Sequence, residues 1–193
     1  MPLEPTAGDL LITTFTTWMP HQRSNSADDL VELAIARGDL DLRLDRESDA
    51  GCPEQPGART RLLRHLPVEN AAASQRVREA IWKFQPAVVL CCGMAESRSR
   101  LNLERRAHLD GHARQTRFEV ARWCDRLVAT DVSDDAGQFV CNYLYFQMLG
   151  EPEVAALFLH VPLLTPENRD AFARDFAAIA QNCLQAANAP RQP

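Results

Sequence analysis

The sequence predicts an α/β fold: a single-domain three-layer α/β/α sandwich with a mixed, mostly parallel central sheet. Short apolar runs alternate along the chain with longer segments in which apolar residues recur at helical spacing, and this alternation is typical of layered α/β domains. The length of 193 residues and the 46% share of hydrophobic side chains suffice for one domain with a sizeable core. We therefore expect a single domain over residues 1–193.

Five apolar runs predict the strands. The first, Leu10–Phe15, is expected to be buried on both faces, as in a sheet that is covered on its two sides. The run at 87–92 is expected to be a central strand. The remaining runs lie at 62–68, 128–132 and 154–161.

Segments of helical period lie between most of these runs. The stretch from Ser26 to Asp29 resembles a capping box, which predicts a helix that ends near Gly38. Asn70 is expected to cap a second helix, and the Gln-Pro pair at 85–86 is expected to stop it. Further helices are predicted over 116–127, over 139–149 and from Pro166 onward.

Two segments lack a clear period. Residues 38–60 are rich in Asp, Arg, Gly and Pro, which favours an exposed hairpin or loop inserted in the domain. Residues 93–117 are polar and rich in Arg, and they are expected to form either an irregular functional loop or strands with a weak pattern.

Charge and the N-terminal sequence exclude some classes of protein. The chain has 21 Lys and Arg against 26 Asp and Glu, a net charge of -5, and no basic block, so nucleic acid is not an expected partner. The first apolar run is too short for a signal peptide or a membrane span, so a cytoplasmic location without membrane partners is expected.

The cysteines and histidines do not predict a metal site or a cofactor. Six cysteines are present, and the missing export signal favours reduced thiols over disulfides. His108 and His112 are four residues apart but lack an accompanying acidic motif. We therefore expect no bound metal and no cofactor.

Three residues are candidates for acid–base or nucleophilic chemistry. Cys141 lies about one turn into the helix that follows Gly137, where free backbone N–H groups favour a thiolate; the alternative is a small core residue. His160 ends a strand, as expected of a general base at a sheet edge; the alternative is a buried histidine bonded to backbone. Glu104 taken alone is expected to be a solvated charge.

Three motifs place these residues in a known pattern. The pattern G-x-A-x-G-R-x-x-I-x-x-E-R is similar to GMAESRSRLNLER at 93–105. The pattern S-A-G-x-x-V-C-N is similar to DAGQFVCN at 135–142, and F-I-H-V-P followed by P-E-Q is similar to FLHVP at 158–162 and PEN at 166–168. In these motifs and their order the chain resembles the pyroglutamyl peptidase I family of cysteine peptidases, also called pyrrolidone-carboxylate peptidases.

The resemblance implies a role for each candidate. Cys141 matches the nucleophile of the family, His160 the general base and Glu104 the carboxylate that orients the imidazole. Arg114, ten residues after Glu104, matches an arginine near the oxyanion, although a plain surface charge is an equal alternative. The family fold is the phosphorylase/hydrolase-like α/β/α arrangement.

The resemblance also implies a substrate. The family removes an N-terminal pyroglutamyl group, and a planar lactam fits a pocket with aromatic walls. The residues expected to bind it are Phe15, Trp18, Met94, Phe139 and Val140. The resemblance thus implies a cysteine omega peptidase, and a homo-oligomer, either a dimer or a tetramer, is a possible assembly. Two alternatives for the function stay open: a cysteine amidase for another small N-blocked acyl group, and a non-catalytic binding protein on the same fold.

Overall fold

The computed structural model describes residues 9–40 and 60–188, and in these ranges it contains eight strands and five helices. The strands are β1 Leu10–Phe15, β2 Thr60–Leu66, β3 Val88–Met94, β4 Leu101–Glu104, β5 Arg106–Leu109, β6 His112–Gln115, β7 Thr130–Ser133 and β8 Ala155–Val161. The helices are α1 Ser26–Arg37, α2 Asn70–Phe84, α3 Val120–Cys124, α4 Val140–Met148 and α5 Arg169–Ala187.

Six strands form one mixed sheet in the order β2-β1-β3-β8-β4-β7. Neighbouring strands from β2 to β8 are parallel, β4 is antiparallel to β8, and β7 is parallel to β4. Strands β5 and β6 form a separate antiparallel hairpin. The mixed, mostly parallel sheet of the predicted α/β fold is confirmed.

The sheet is buried on both faces, and the alternation of side chains along its strands shows this directly. In β8, Leu157 and Leu159 pack into one core with α1 and α5, whereas Ala156 and Phe158 pack into the other core with α2 and α4. Successive residues of a strand point to opposite faces, so a strand between two helical layers must be apolar at nearly every position. This is the physical reason for the apolar runs in the sequence.

Two helix starts differ by one residue from the prediction. The N-cap of α1 is Asn25, whose side chain accepts a hydrogen bond from the N–H of Ala27, because the hydroxyl of Ser26 instead donates to the carbonyl of Val161. The N-cap of α2 is Glu69, and Asn70 is its first helical residue. The predicted end near Gly38 is confirmed, since Gly38 adopts the left-handed conformation with φ 74°.

The helix predicted over 116–127 is much shorter in the structure, where α3 covers only Val120–Cys124. The hydroxyl of Thr116 donates to the carbonyl of Ala156 and accepts a bond from the N–H of Phe118, so the chain turns before the helix begins. Of the two alternatives for 93–117, the strands with a weak pattern are correct: β4, β5 and β6 lie there.

Most of the predicted hairpin at 38–60 lies outside the described residues. Within 9–40 and 60–188, none of the helices has both the length and the apolar character needed to cross a bilayer.

Candidate active site

A cavity of about 690 Å³ lies at the carboxyl ends of the parallel strands. Phe15 at the end of β1, Met94 at the end of β3 and His160 near the end of β8 all line it. The start of α4 supplies Val140 and Cys141. Ligand sites of open α/β sheets occupy this edge because the helices and loops that follow the strands converge there.

His160 and Glu104 form a buried pair beside the cavity. Nδ1 of His160 lies 2.7 Å from Oε1 of Glu104, the Glu104 side chain is 0% exposed, and the two residues belong to the adjacent strands β8 and β4. The ring of Phe158 lies 4.7 Å from the imidazole, centroid to centroid. A carboxylate at Nδ1 favours the tautomer with its proton there, which leaves Nε2 as the free base.

Cys141 is the second residue of α4. The helix begins at Val140 without a side-chain cap at Phe139, so the backbone N–H groups of its first turn are available to an anion. The Cys141 thiol packs against β3: a Cβ added to Gly93 would lie 2.7 Å from Sγ. The same α/β architecture therefore brings a thiol, an imidazole and a carboxylate to one side of the sheet.

The protonation of Cys141 differs from the expectation. Burial raises the pKa of the thiol to about 12, and the neighbouring Cys91 and Glu104 raise it further, whereas the bond to its own backbone acts in the opposite direction. Desolvation therefore outweighs the helix N-terminus in this arrangement. Burial at this position therefore favours the thiol and acts against the thiolate that the sequence predicts.

Arg98 also belongs to the site, although the sequence analysis did not select it. Its Nη2 lies 3.4 Å from Oε1 of Glu104 and 2.8 Å from the carbonyl of Asp135, in the loop before α4. Oε2 of Glu104 is buried without a hydrogen-bond partner in the described part of the chain. The only available signal was the position of Arg98 within the first motif, which says nothing about its contacts.

Arg114 does not lie where the resemblance implied. Its guanidinium donates to the carbonyl of Phe146 at 2.8 Å and lies 4.1 Å over the centroid of the Phe146 ring, at the carboxyl half of α4. It also fills the space beside Gly150, where an added Cβ would meet Nη1 at 2.1 Å. The expected place near the oxyanion is therefore incorrect for this structure, because Cys141 lies at the other end of the helix.

The five residues predicted to bind the substrate all line the cavity: Phe15, Trp18, Met94, Phe139 and Val140. The rings of Trp18 and Phe139 lie 5.8 Å apart with planes tilted by 40°, and the two residues are 55% and 71% exposed. Phe15 is buried, and the sulfur of Met94 accepts a bond from the N–H of Ser26 at 3.4 Å. The aromatic pair stands at the solvent side of the cavity and Phe15 at its inner side.

A polar cluster at the mouth of the cavity was also missed by the sequence analysis. Glu96 accepts hydrogen bonds from Gln22, at 2.6 Å, and from the ring of His21, at 3.0 and 3.1 Å. The Gln22 side chain in turn accepts from the backbone N–H groups of Trp18 and Met19. These contacts join the loop after β1 to the loop after β3. Glu96 is 74 residues from Gln22 and 75 residues from His21 along the chain.

Comparison with known proteins gives relatives of one kind. No family model matches the chain. The chain is 28% identical to the pyrrolidone-carboxylate peptidase of Bacillus subtilis over 136 residues, which are 54% of this chain and 63% of the relative. It is 26% identical to human pyroglutamyl-peptidase 1 over 148 residues, which are 62% of this chain and 70% of the relative. The chain thus spans less than two thirds of the length of the Bacillus subtilis protein.

Solved structures with a similar fold have related names. Pyroglutamyl peptidase I from Bacillus amyloliquefaciens superposes with a TM-score of 0.70 at 20% identity and covers 95% of this chain and 100% of its own. A pyrrolidone carboxyl peptidase from Thermococcus litoralis gives a TM-score of 0.67 at 18% identity, with coverages of 96% and 100%.

The described fold thus brings a cysteine, a histidine and a glutamate together at one sheet edge, and the relatives and solved structures that resemble the chain are named as peptidases. At 26–28% identity the chain is similar to proteins with these names, and its fold is that of the solved pyroglutamyl peptidase I structures.

Proposed function

We propose that the protein is a cysteine omega peptidase that hydrolyses the amide bond after an N-terminal pyroglutamyl group. The observation that carries this proposal is the 2.7 Å contact between His160 and the buried Glu104, with His160 facing the same cavity as Cys141. The names of the relatives support the same activity, and none of them supports a non-catalytic role.

In the proposed reaction His160 is a general base during the attack, because Cys141 starts as a thiol. Nε2 of His160 takes the thiol proton while Sγ forms a bond to the acyl carbon. The resulting imidazolium is stabilised by Glu104, and it gives its proton to the departing amine as the amide C–N bond breaks. A water that loses its proton to His160 then attacks the acyl-enzyme and releases the acid and the thiol.

The negative oxygen of the tetrahedral intermediate is assigned to the start of α4. The N–H groups of its first turn are free of a side-chain cap, and that of Cys141 lies in the residue that bears the nucleophile. Donors of this kind at a developing oxyanion are worth about 3 kcal/mol each. Arg114 has no part in this proposal, since it packs on Phe146.

Phe15, Trp18 and Phe139 are proposed to enclose the acyl ring. A five-membered lactam is flat, uncharged and largely apolar on its faces, so aromatic walls stabilise it through dispersion and the exclusion of water. The exposed pair of Trp18 and Phe139 loses solvent contact when the ring enters. Met94 and Val140 complete the apolar lining beside Cys141.

The experiment that tests the proposal is hydrolysis of a pyroglutamyl reporter amide. The wild-type protein should release the reporter amine, and Cys141→Ser and His160→Ala should each lower kcat by at least about a thousand-fold, as losses of a nucleophile or base do. The matched control is Cys124→Ser, which changes another partly buried free cysteine, on α3. Undiminished hydrolysis by Cys141→Ser would remove the assignment of the nucleophile.

The location and the assembly are also proposals. A cytoplasmic location is supported by the thiols of the five cysteines in the described ranges, all of them free: Cys91, Cys92, Cys124, Cys141 and Cys183. A homo-oligomer of one domain per chain is proposed from the family resemblance. Light scattering after size exclusion measures the assembly, and a monomer at micromolar concentration contradicts it.

A further inference from the structure

The mouth of the cavity holds a carboxylate that the hydrolysis of a neutral lactam does not need. Among the described residues that line the cavity, Glu96 is acidic, Arg98 is basic, and His21 and His160 are the imidazoles. The charge of Arg98 is offset by Glu104, which lies 3.4 Å away and is fully buried. Imidazoles aside, Glu96 is therefore the charged residue of this lining whose charge no arginine offsets.

Glu96 is held in place but is still open to solvent. Its side chain is 34% exposed, and the bond from Gln22 at 2.6 Å fixes one of its oxygens. Hydrogen bonds from Gln22 and then His21 lower the pKa of this carboxyl, so it stays ionised at neutral pH. Both carboxylate oxygens of Glu96 contact the ring of His21. The His21 side chain is 61% exposed, so a cationic group of a ligand can displace it from Glu96.

A short chain of contacts connects the aromatic pair with this carboxylate. Gln22 donates to Glu96 and accepts from the N–H of Trp18, and the Trp18 ring lies 5.8 Å from that of Phe139. Aromatic faces attract a cation within about 6 Å of the ring centroid. A carboxylate and aromatic faces that line the same cavity are the chemistry that recognises an ammonium or guanidinium group.

We propose that Glu96, together with Trp18 and Phe139, is a subsite for a positively charged group of the substrate. The inference rests on the proposed function, since it names the class of amide that the site prefers. The charge could belong to the acyl part, as the ring ammonium of a prolyl group, or to the residue after the scissile bond, as a lysine side chain. The experiment has one arm for each source.

The test measures binding without turnover, in the full chain with Cys141→Ser. Calorimetry compares prolyl amide with pyroglutamyl amide in the first arm, and pyroglutamyl-lysine amide with pyroglutamyl-norleucine amide in the second. In at least one arm the cationic ligand should bind about five-fold more tightly, the upper range for a partly exposed ion pair. Glu96→Gln should abolish this ratio.

Two further variants make the result specific. Glu79→Gln, on the exposed face of α2 where Glu79 bonds to Gln75, should leave the ratio unchanged. His21→Ala removes the internal competitor for Glu96 and should keep or increase the ratio. Equal affinities within both arms, a ratio that survives Glu96→Gln, or undetectable binding of all four ligands would each overturn the proposal. A preserved ratio in a protein whose wild type hydrolyses none of these amides would count against the proposed function alone.

Discussion

Gly93 determines how the candidate nucleophile and base approach each other. A Cβ at this position would lie 2.7 Å from Sγ of Cys141 and 2.9 Å from Cζ of Phe158, both closer than non-bonded atoms approach. The Phe158 ring in turn contacts the imidazole of His160. A single methyl group would therefore displace two of the neighbours on which the site depends.

Gly93→Ala is expected to lower both stability and activity. Overpacking of a well-packed site costs about 1–3 kcal/mol of unfolding free energy, and the shift of Sγ should lower kcat/KM by at least about ten-fold. Urea unfolding and reporter hydrolysis measure the two effects. The control is Gly111→Ala in the turn between β5 and β6: nothing lies within 4 Å there, but φ is 77°, so stability should fall by about 1 kcal/mol with kcat/KM unchanged.

Arg98 is expected to act as a positioning residue. Its guanidinium compensates the buried carboxylate of Glu104 and anchors the loop at Asp135, so Arg98→Gln should lower kcat by about ten-fold or more while KM changes little. Arg98→Lys, which keeps the charge, should recover part of the loss. The control is Arg100→Gln, because Arg100 lies in the same loop but pairs with Asp131 at 2.9 Å. Equal effects of Arg98→Gln and Arg100→Gln would contradict this role.

The sequence could predict the candidate site residues, but not their surroundings. The spacing within the motifs selected Cys141, His160 and Glu104 because a nucleophile, a base and a carboxylate occupy fixed places in the family pattern. Arg98 and Glu96 lie in the same motif, and only the folded loop shows that one contacts Glu104 and the other Gln22. Arg114 was expected near the oxyanion, but it contacts the carboxyl half of α4. Spacing along the chain does not indicate which end of α4 the β5–β6 hairpin contacts.

At the scale of elements, the β5–β6 hairpin is fastened to the helix that bears Cys141. The side chain of Asn142 accepts a bond from the N–H of His108 at 2.9 Å and donates to the carbonyl of the same residue at 2.6 Å. Asn142 is itself 5% exposed. An amide side chain can satisfy both groups of one strand residue, so it replaces the missing neighbour strand at this edge.

Asn142→Ala is expected to loosen this attachment. It leaves two polar groups of His108 without partners, which should cost about 1–3 kcal/mol of unfolding free energy, and it should lower kcat because the start of α4 loses its support. The matched control is Asn168→Ala: this asparagine also bonds two backbone groups, at 2.9 and 3.0 Å, but lies before α5. Both variants should lose stability, and only Asn142→Ala should lose activity.

The sequence predicts a helix or strand reliably where burial alone sets the pattern of its residues. Buried strands such as β3 and β8 are apolar on both faces, so the sequence marks them clearly. Strands β5 and β6 are mostly exposed and polar, and their hairpin depends on contacts with α4 that no local pattern encodes. Helix starts were displaced by one residue because the choice between Ser26 and Asn25 as cap depends on Val161, which is distant in sequence.

For the whole molecule, burial of apolar surface on both sides of the sheet also encloses several thiols. Cys91, Cys92 and Cys183 are 0% exposed, the first in the core with α2 and α4 and the other two in the core with α1 and α5. A thiol tolerates such burial when neutral, because it then behaves as a small apolar group. The ionised thiolate does not tolerate burial, so the stability of a core that encloses thiols depends on pH.

Stability is therefore expected to fall in alkaline solution. Burial raises the pKa of Cys91 to about 12 from an ordinary 9.0, and it raises that of Cys92 and Cys183 as well. A raised pKa in the folded state means that the stabilisation is complete below the ordinary value and is lost as pH rises toward the folded value. By about pH 10.5 each such thiol should have cost roughly 2 kcal/mol of unfolding free energy.

Urea unfolding from pH 7 upward measures the decline. Cys183→Ala should lower stability at pH 7 but make the decline shallower, whereas an unchanged slope would show that these thiols do not cause it.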